Sequence, residues 1–296
     1  MRPFTTCLSA CVLAAAALGS PAFAAKVGNY HVMLTPEGRA QLGLPDTPPP
    51  ATEMFYYGGS VFSNSKVVSV IWGPNVNPTT VSTVPGFSAA LVNSTFVDQM
   101  GEYSTKGHKS INNHGSTKQI IGRGTYLGQV QIRPKNKSSS LTDADVQAEL
   151  HYQIKIGKLP HQDLNTLYMV YFPDGVTITL DGLVSCQQFG AYHFATNDTK
   201  LAQNNLFYSV EPSCHYAIEN IEFAASHEFA EATTDNVPTP GSNPDFPQAW
   251  NTSDGYEIGD LCGSGGTLTA GSKTYTVTQV FLNSTGRCST GNYTSP

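Results

Sequence analysis

Apolar and polar positions along this chain follow two different periods, and each period marks an element. Residues 66–72 (Lys-Val-Val-Ser-Val-Ile-Trp) form a β-branched run suited to a buried strand, and Gly73-Pro74 stops it. From 84 to 103 the spacing becomes helical, with Phe87, Leu91, Phe96 and Met100 on one face. Residues 119–132 alternate and predict a strand or hairpin. Thr142 and Asp145, three apart, supply a capping-box start for a helix running to about Ile156. Short strands are predicted at 167–172, 176–180 and 206–210, with a further segment at 186–193. The clearest helix spans 216–234, and an alternating strand follows at 273–281. Strands interleaved with helices predict a mixed α/β (α+β) fold with a less regular part after residue 235. No internal repeat is present.

The N-terminal region follows neither period. Arg2 precedes an apolar run at 12–18, and Ala22-Phe23-Ala24 offers a small-x-small cleavage site, so residues 1–24 read as a signal peptide and the mature chain is expected to begin at Ala25. Leu8-Ser9-Ala10-Cys11 resembles a lipobox, but its apolar stretch follows the cysteine instead of preceding it. Residues 25–53 read as a tail or pro-segment ending in a Pro-rich linker. The α/β core is then expected at 54–235, and residues 236–296 form a C-terminal subdomain that completes the site. No later run approaches the ~18 uninterrupted apolar residues of a membrane helix. These features predict a secreted, extracellular product, or a periplasmic one, without a membrane span and monomeric.

Composition narrows the picture further. Charged side chains make up 13% of the 296 residues, about half the usual ~25%, and 22 acidic against 16 basic residues leave a net charge of −6. That excludes a basic nucleic-acid binder and a charged disordered chain. Of six cysteines, Cys7 and Cys11 lie in the signal region, leaving Cys186, Cys214, Cys262 and Cys288. Four cysteines in an oxidising compartment predict two disulfides among three connectivities. The sequential pairing, Cys186 with Cys214 and Cys262 with Cys288, is preferred, each loop contributing roughly 3 kcal/mol. A nucleophilic Cys186 would need its partner left over, and without a CxxC pair there is no structural zinc module.

The chemistry concentrates at 221–235, within which stands Ser226-His227-Glu228-Phe229-Ala230-Glu231. On a helix, His227 and Glu231 lie one turn apart on one face with Glu228 beside it. This reproduces the geometry of an H-E-x-x-H metalloprotease helix with its second histidine replaced by glutamate. Glu257, 26 residues after Glu231, is spaced like the downstream glutamate ligand of thermolysin-type zincins, and Asp260 follows it by three. Either is a candidate third ligand. Asp235 competes as a ligand, or as an acceptor holding the His227 ring. Acidic residues are scarce, yet Glu222, Glu228, Glu231, Asp235, Glu257 and Asp260 gather around one helix and its downstream loop. A solvated acidic face with a satisfied histidine is the simpler alternative. Zinc is the expected metal; the extra carboxylate shifts preference toward harder divalent ions such as Mn or Ca.

The chain resembles the bacterial branch of the EXORDIUM-like, or phosphate-induced protein, family. The likeness rests on Tyr56-Tyr57-Gly58-Gly59 leading into 67–72, on Ser185-Cys186 through Ala191-Tyr192-His193, on 226–231 with Thr234-Asp235, and on 257–262. It implies an extracellular protein with a zincin-like core but no demonstrated activity; the fold expected is a zincin-like mixed sheet with the His227 helix as its active-site helix. Plant members are associated with cell growth and the cell wall and as a group lack an intact His-Glu helix, which this chain retains. Within the family pattern His193 is a further candidate ligand, its alternative being a strand histidine bonded to backbone.

The leading expectation is a metallopeptidase-like hydrolase acting on a peptide or protein, with Glu228 as general base. The alternatives are a non-catalytic secreted binding or growth-related factor, and a carbohydrate hydrolase using Glu228 and Glu257. The last lacks a tryptophan-rich platform, since only Trp72 and Trp250 are present.

Overall fold

The β-branched run at 66–72 becomes an inner strand of the main sheet in the computed structural model, which describes residues 23–27, 30–45, 53–196, 205–238 and 245–291. Most of the expected signal peptide, the linker prolines at 48–50 and residues 239–244 of the loop after the long helix lie outside the described residues. In chain order the elements begin with β1 (Phe23–Val27), β2 (Tyr30–Leu34), α1 (Pro36–Leu42), β3 (Phe55–Tyr56) and β4 (Asn64–Trp72). Next come α2 (Pro78–Val92), α3 (Thr95–Gln99), a 3-10 turn (Met100–Tyr103), β5 (Gly122–Ile132), β6 (Ser140–Thr142) and α4 (Asp143–Lys155). Then follow β7 (Thr166–Tyr171), β8 (Thr177–Leu180), β9 (Leu183–Val184), β10 (Phe189–Ala195), β11 (Phe207–Glu211) and α5 (Ile218–Thr234). The last strands are β12 (Trp250–Asn251), β13 (Gly265–Ala270), β14 (Lys273–Thr278), β15 (Val280–Leu282) and β16 (Arg287–Ser289).

Seven strands form a mixed sheet in the order β1-β2-β10-β11-β7-β4-β5. The block β11-β7-β4-β5 is parallel, and the pairs β1-β2, β2-β10 and β10-β11 are antiparallel. Alternation along the inner strands sorts side chains to two apolar layers, as a sheet covered on both faces requires. Val67, Ile71, Leu167, Met169 and Phe207 pack with α2, α3 and α5. Val68, Val70, Tyr168, Val170 and Tyr208 pack with Val146, Leu150 and Ile154 of α4. The fold is the mixed α/β class expected, and the disulfides are Cys186–Cys214 and Cys262–Cys288, with Cα atoms 5.0 and 5.8 Å apart.

The structure departs from local pattern in three places. The helix expected over 84–103 starts earlier and is broken. Asn77 caps Thr79 at 2.9 Å and Pro78 occupies the first turn, while at Asn93-Ser94 the Ser94 hydroxyl accepts from Phe96 N and starts α3 afresh. The strand expected over 273–281 divides into β14 and β15, and β13, not expected, pairs with β14. Within the segment read as a tail or pro-segment, β2 joins the main sheet beside β10 and α1 is capped by Thr35, whose hydroxyl accepts from Gly38 N at 2.9 Å. β1 spans the expected cleavage point at Ala24.

Candidate metal centre

Helix α5 is enclosed on nearly all sides. Ile221, Ala225, Phe229 and Ala232 fill the main core, and every residue from Ala224 to Thr234 is buried. A helix that is buried all round cannot leave polar side chains to solvent, so His227, Glu228 and Glu231 must be satisfied internally. The sheet supplies their neighbours. On β2 and β10, Met33 and Ala191 pack with Ala224 of α5, whereas Val32 and Tyr192 face the opposite layer. Alternation therefore aims His31 and His193 at α5. The loop after β12 brings Glu257 and Asp260 against the same helix. The Cys262–Cys288 bridge tethers that loop to β16, and Cys186–Cys214 ties the approach to β10 to the turn before α5.

Two sets of ligand-capable atoms converge here: His227, Glu231 and Asp260, and His193, Glu231 and Glu257, each set lying within 4.8 Å of one another and fully buried. His227 Nε2 is 2.9 Å from Glu231 Oε1 and 3.7 Å from Asp260 Oδ1. His193 Nδ1 is 3.2 Å from Glu228 Oε2 and 3.8 Å from Glu231 Oε2, and its Nε2 is 3.6 Å from Glu257 Oε1. His31 Nδ1 stands 3.3 Å from Glu257 Oε2, and Gln248 Nε2 is 3.3 Å from the other nitrogen of that ring. Gly259 permits the approach of the loop. A Cβ there would sit 2.6 Å from His227 Nδ1 and 2.9 Å from Glu231 Oε1, so only glycine fits between the two acidic residues. Asp260 also accepts from Glu257 N at 2.8 Å, which holds this turn closed.

Several of these atoms lack hydrogen-bond partners among the described residues: both ring nitrogens of His227, Oε1 of Glu228, both carboxylate oxygens of Glu231 and of Glu257, and Oδ1 of Asp260. Buried orphans of this kind are expensive unless a cation collects them, and a histidine-carboxylate donor set suits a divalent metal. Without such a cation, burial dominates the electrostatics. Desolvation pushes Glu228 up to about 8, opposed by His227 and reinforced by Asp260. It raises Glu231, Glu257 and Asp260 well above the ordinary carboxylate range, with the neighbouring carboxylates adding to the effect. Desolvation also lowers His193 to about 4.

Asp235 stands outside both sets. Its carboxylate accepts from Ala249 N at 3.0 Å and Asn251 Nδ2 at 2.6 Å, so it anchors the strand β12 segment instead of the His227 ring, while its backbone carbonyl lies 3.2 Å from His193 Nε2. Glu222 is also elsewhere, accepting from Thr276 N at 2.7 Å. Two buried groups near the cluster were not singled out from sequence. One is His31, whose Tyr-His-Val-Met-Leu setting carries the period of a half-buried strand; the other is Glu211, which accepts from Ser209 Oγ at 2.8 Å and is raised by burial and by Glu228. A cleft of about 590 Å³ lined by Trp72, Arg133, Lys137 and Pro173 shares no residue with the cluster. It lies past the C-terminal ends of β4 and β7, whereas α5 ends beside the start of β4, where Thr233 meets Ser65. Comparison with known protein families, curated proteins and solved structures finds no match to this chain.

Proposed function

We propose that this chain is an exported metal-dependent hydrolase of metallopeptidase type. The observation that carries the reading is the convergence of His227, Glu231 and Asp260, all buried, with orphaned polar atoms directed at one another. Zinc suits the histidine, and the two carboxylates also admit a harder divalent ion. A bound divalent cation supplies Lewis acidity toward a substrate carbonyl and eases deprotonation of water. Glu228, next to His227 on the same helix, then takes one proton from the attacking water. As the C–N bond breaks, that proton passes to the leaving nitrogen, and Glu228 returns to its carboxylate. The His-Glu-x-x-Glu helix supports a peptide or protein substrate, and the EXORDIUM-like resemblance supports an extracellular setting. The disulfides fit that compartment, and no helix among the described residues is long and apolar enough to cross a membrane.

Glu228→Gln tests the mechanism directly. The variant is expected to retain the metal of the wild type and lose hydrolysis of an unstructured protein substrate by at least 10²-fold, within the range for removing a general base. A Glu228→Gln protein as active as wild type would sink it.

One observation favours a second reading. His227, Glu231 and Asp260 are each 1% exposed or less, the enclosure typical of a structural ion. In that case the chain is a secreted binding or growth-related factor with a buried metal. Chelation would then melt the protein at lower temperature without abolishing any hydrolysis.

A further inference from the structure

Glu231 belongs to both ligand sets, and its two oxygens face different histidines. Oε1 is 2.9 Å from His227 Nε2, while Oε2 is 3.8 Å from His193 Nδ1. Asp260 Oδ1 is 3.7 Å from the same His227 Nε2, and Glu257 groups with His193 and Glu231 in the second set, its Oε1 3.6 Å from His193 Nε2. The geometry points to a two-metal centre in which Glu231 bridges one ion held by His227 and Asp260 and a second ion held by His193 and Glu257. This deepens the hydrolase reading and rests on the first ion of that reading.

Three further observations favour the second ion. His193 Nε2 lies 3.2 Å from the Asp235 carbonyl, which can only accept, so the ring proton sits on Nε2. In the neutral ring Nδ1 is then an acceptor, yet it faces Glu228 Oε2 at 3.2 Å and Glu231 Oε2 at 3.8 Å. Two acceptors meet there, and either a proton held by Glu228 or a cation between them resolves the contact. A backbone carbonyl fixing the tautomer of a ligand histidine is the usual support for such an ion. Charge supplies the second observation. Among the described residues, the ion pairs of Glu228, Glu231, Glu257 and Asp260 are all with histidines. With all four carboxylates ionised, one divalent ion offsets half of their charge and two offset all of it. Third, among the described residues neither oxygen of Glu231 nor of Glu257 has a hydrogen-bond partner, more acceptor capacity than one ion in the His227 set could use. Carboxylate-bridged ions in hydrolytic two-metal sites stand about 3.5–4 Å apart, a spacing that one bridging carboxylate spans.

The test is metal stoichiometry of the full purified chain, stripped with chelator and reloaded with Mn²⁺ or Zn²⁺. Wild type is expected to hold two ions per chain, and the Mn²⁺ form to show the electron paramagnetic resonance of a spin-coupled pair. His193→Asn and Asp260→Asn should each hold one ion and lose the coupling while keeping the wild-type circular dichroism spectrum. One ion per wild-type chain would overturn the two-metal centre and leave the single-ion hydrolase standing. No bound ion would overturn both. Two ions without spin coupling would overturn the Glu231 bridge.

Discussion

Replacing Gly259 with alanine perturbs the centre without touching a ligand. The added Cβ would lie 2.6 Å from His227 Nδ1 and 2.9 Å from Glu231 Oε1, where ordinary contact begins near 3.4 Å, so the loop or the imidazole must move by about 0.8 Å. Neither is free to yield. The loop is held by Glu257 N on Asp260 at 2.8 Å, by Phe281 N on the Ile258 carbonyl at 2.9 Å, and by the Cys262–Cys288 bridge. The ring sits on a helix buried on all sides. Metal-ligand distances tolerate only about ±0.2 Å. Disturbing the support of such ligands weakens binding about 10- to 100-fold, or roughly 1.4–2.7 kcal/mol. The overpacked metal-free protein should lose about 1–3 kcal/mol of stability besides. Competition against a chelator of known affinity reads the first effect, and chemical denaturation of the stripped protein reads the second. Gly101→Ala is the control: its nearest neighbour to an added Cβ is 3.8 Å away, so both measurements should stay within about 0.5 kcal/mol of wild type. A Gly259→Ala protein that binds metal and unfolds like wild type would refute the placement of this loop against His227.

Stability of the stripped protein should depend on pH in a defined sense. Glu228 is raised to about 8 and Asp235 to about 7, so their contribution is complete below the ordinary carboxylate range and is lost as pH rises through those values. His193, lowered to about 4, acts oppositely between its folded value and ~6.5, which leaves pH 6.5 to 8.5 as the clean window. Across it the unfolding free energy of the metal-free chain should fall by up to about 1.4 kcal/mol per pH unit for each retained proton, lowering its melting temperature, and added Zn²⁺ should restore more at the upper end; a flat profile would contradict this. Replacing Cys262 and Cys288 together with serine should lower stability by roughly 3 kcal/mol and weaken metal binding, since Asp260 lies two residues from the bridge; unchanged denaturation midpoints would argue against the tether. Thr142→Ala removes the acceptor for Asp145 N at 3.2 Å and should cost about 1 kcal/mol in urea unfolding, while an unchanged midpoint would mean the capping box does not hold α4.

Sequence by itself determined the parts of this protein whose physics is local. The i, i+4 placement of His227 and Glu231 follows from helical periodicity within one segment, and α4 begins where Thr142 and Asp145 cap it. The β-branched run of β4 reads as a buried strand because its side chains suit no other setting as well, and the sequential disulfides join cysteines 28 and 26 residues apart. Only the tertiary structure decided what those elements meet. Which of Glu257 and Asp260 accompanies His227 depends on the fold of a four-residue turn against α5, and the structure sends Asp260 to His227 and Glu257 to His193. His31 lies 196 positions before His227, in a segment whose prolines and short apolar run carry the local signature of a tail. It reaches the cluster because β2 pairs with β10, a register set by long-range hydrogen bonds and by burial of alternate side chains. The double role of Glu231 was equally out of reach of a one-dimensional pattern. A sequence position specifies a carboxylate with His227 one turn away, but only the packing of β10 against α5 gives its other oxygen a second histidine.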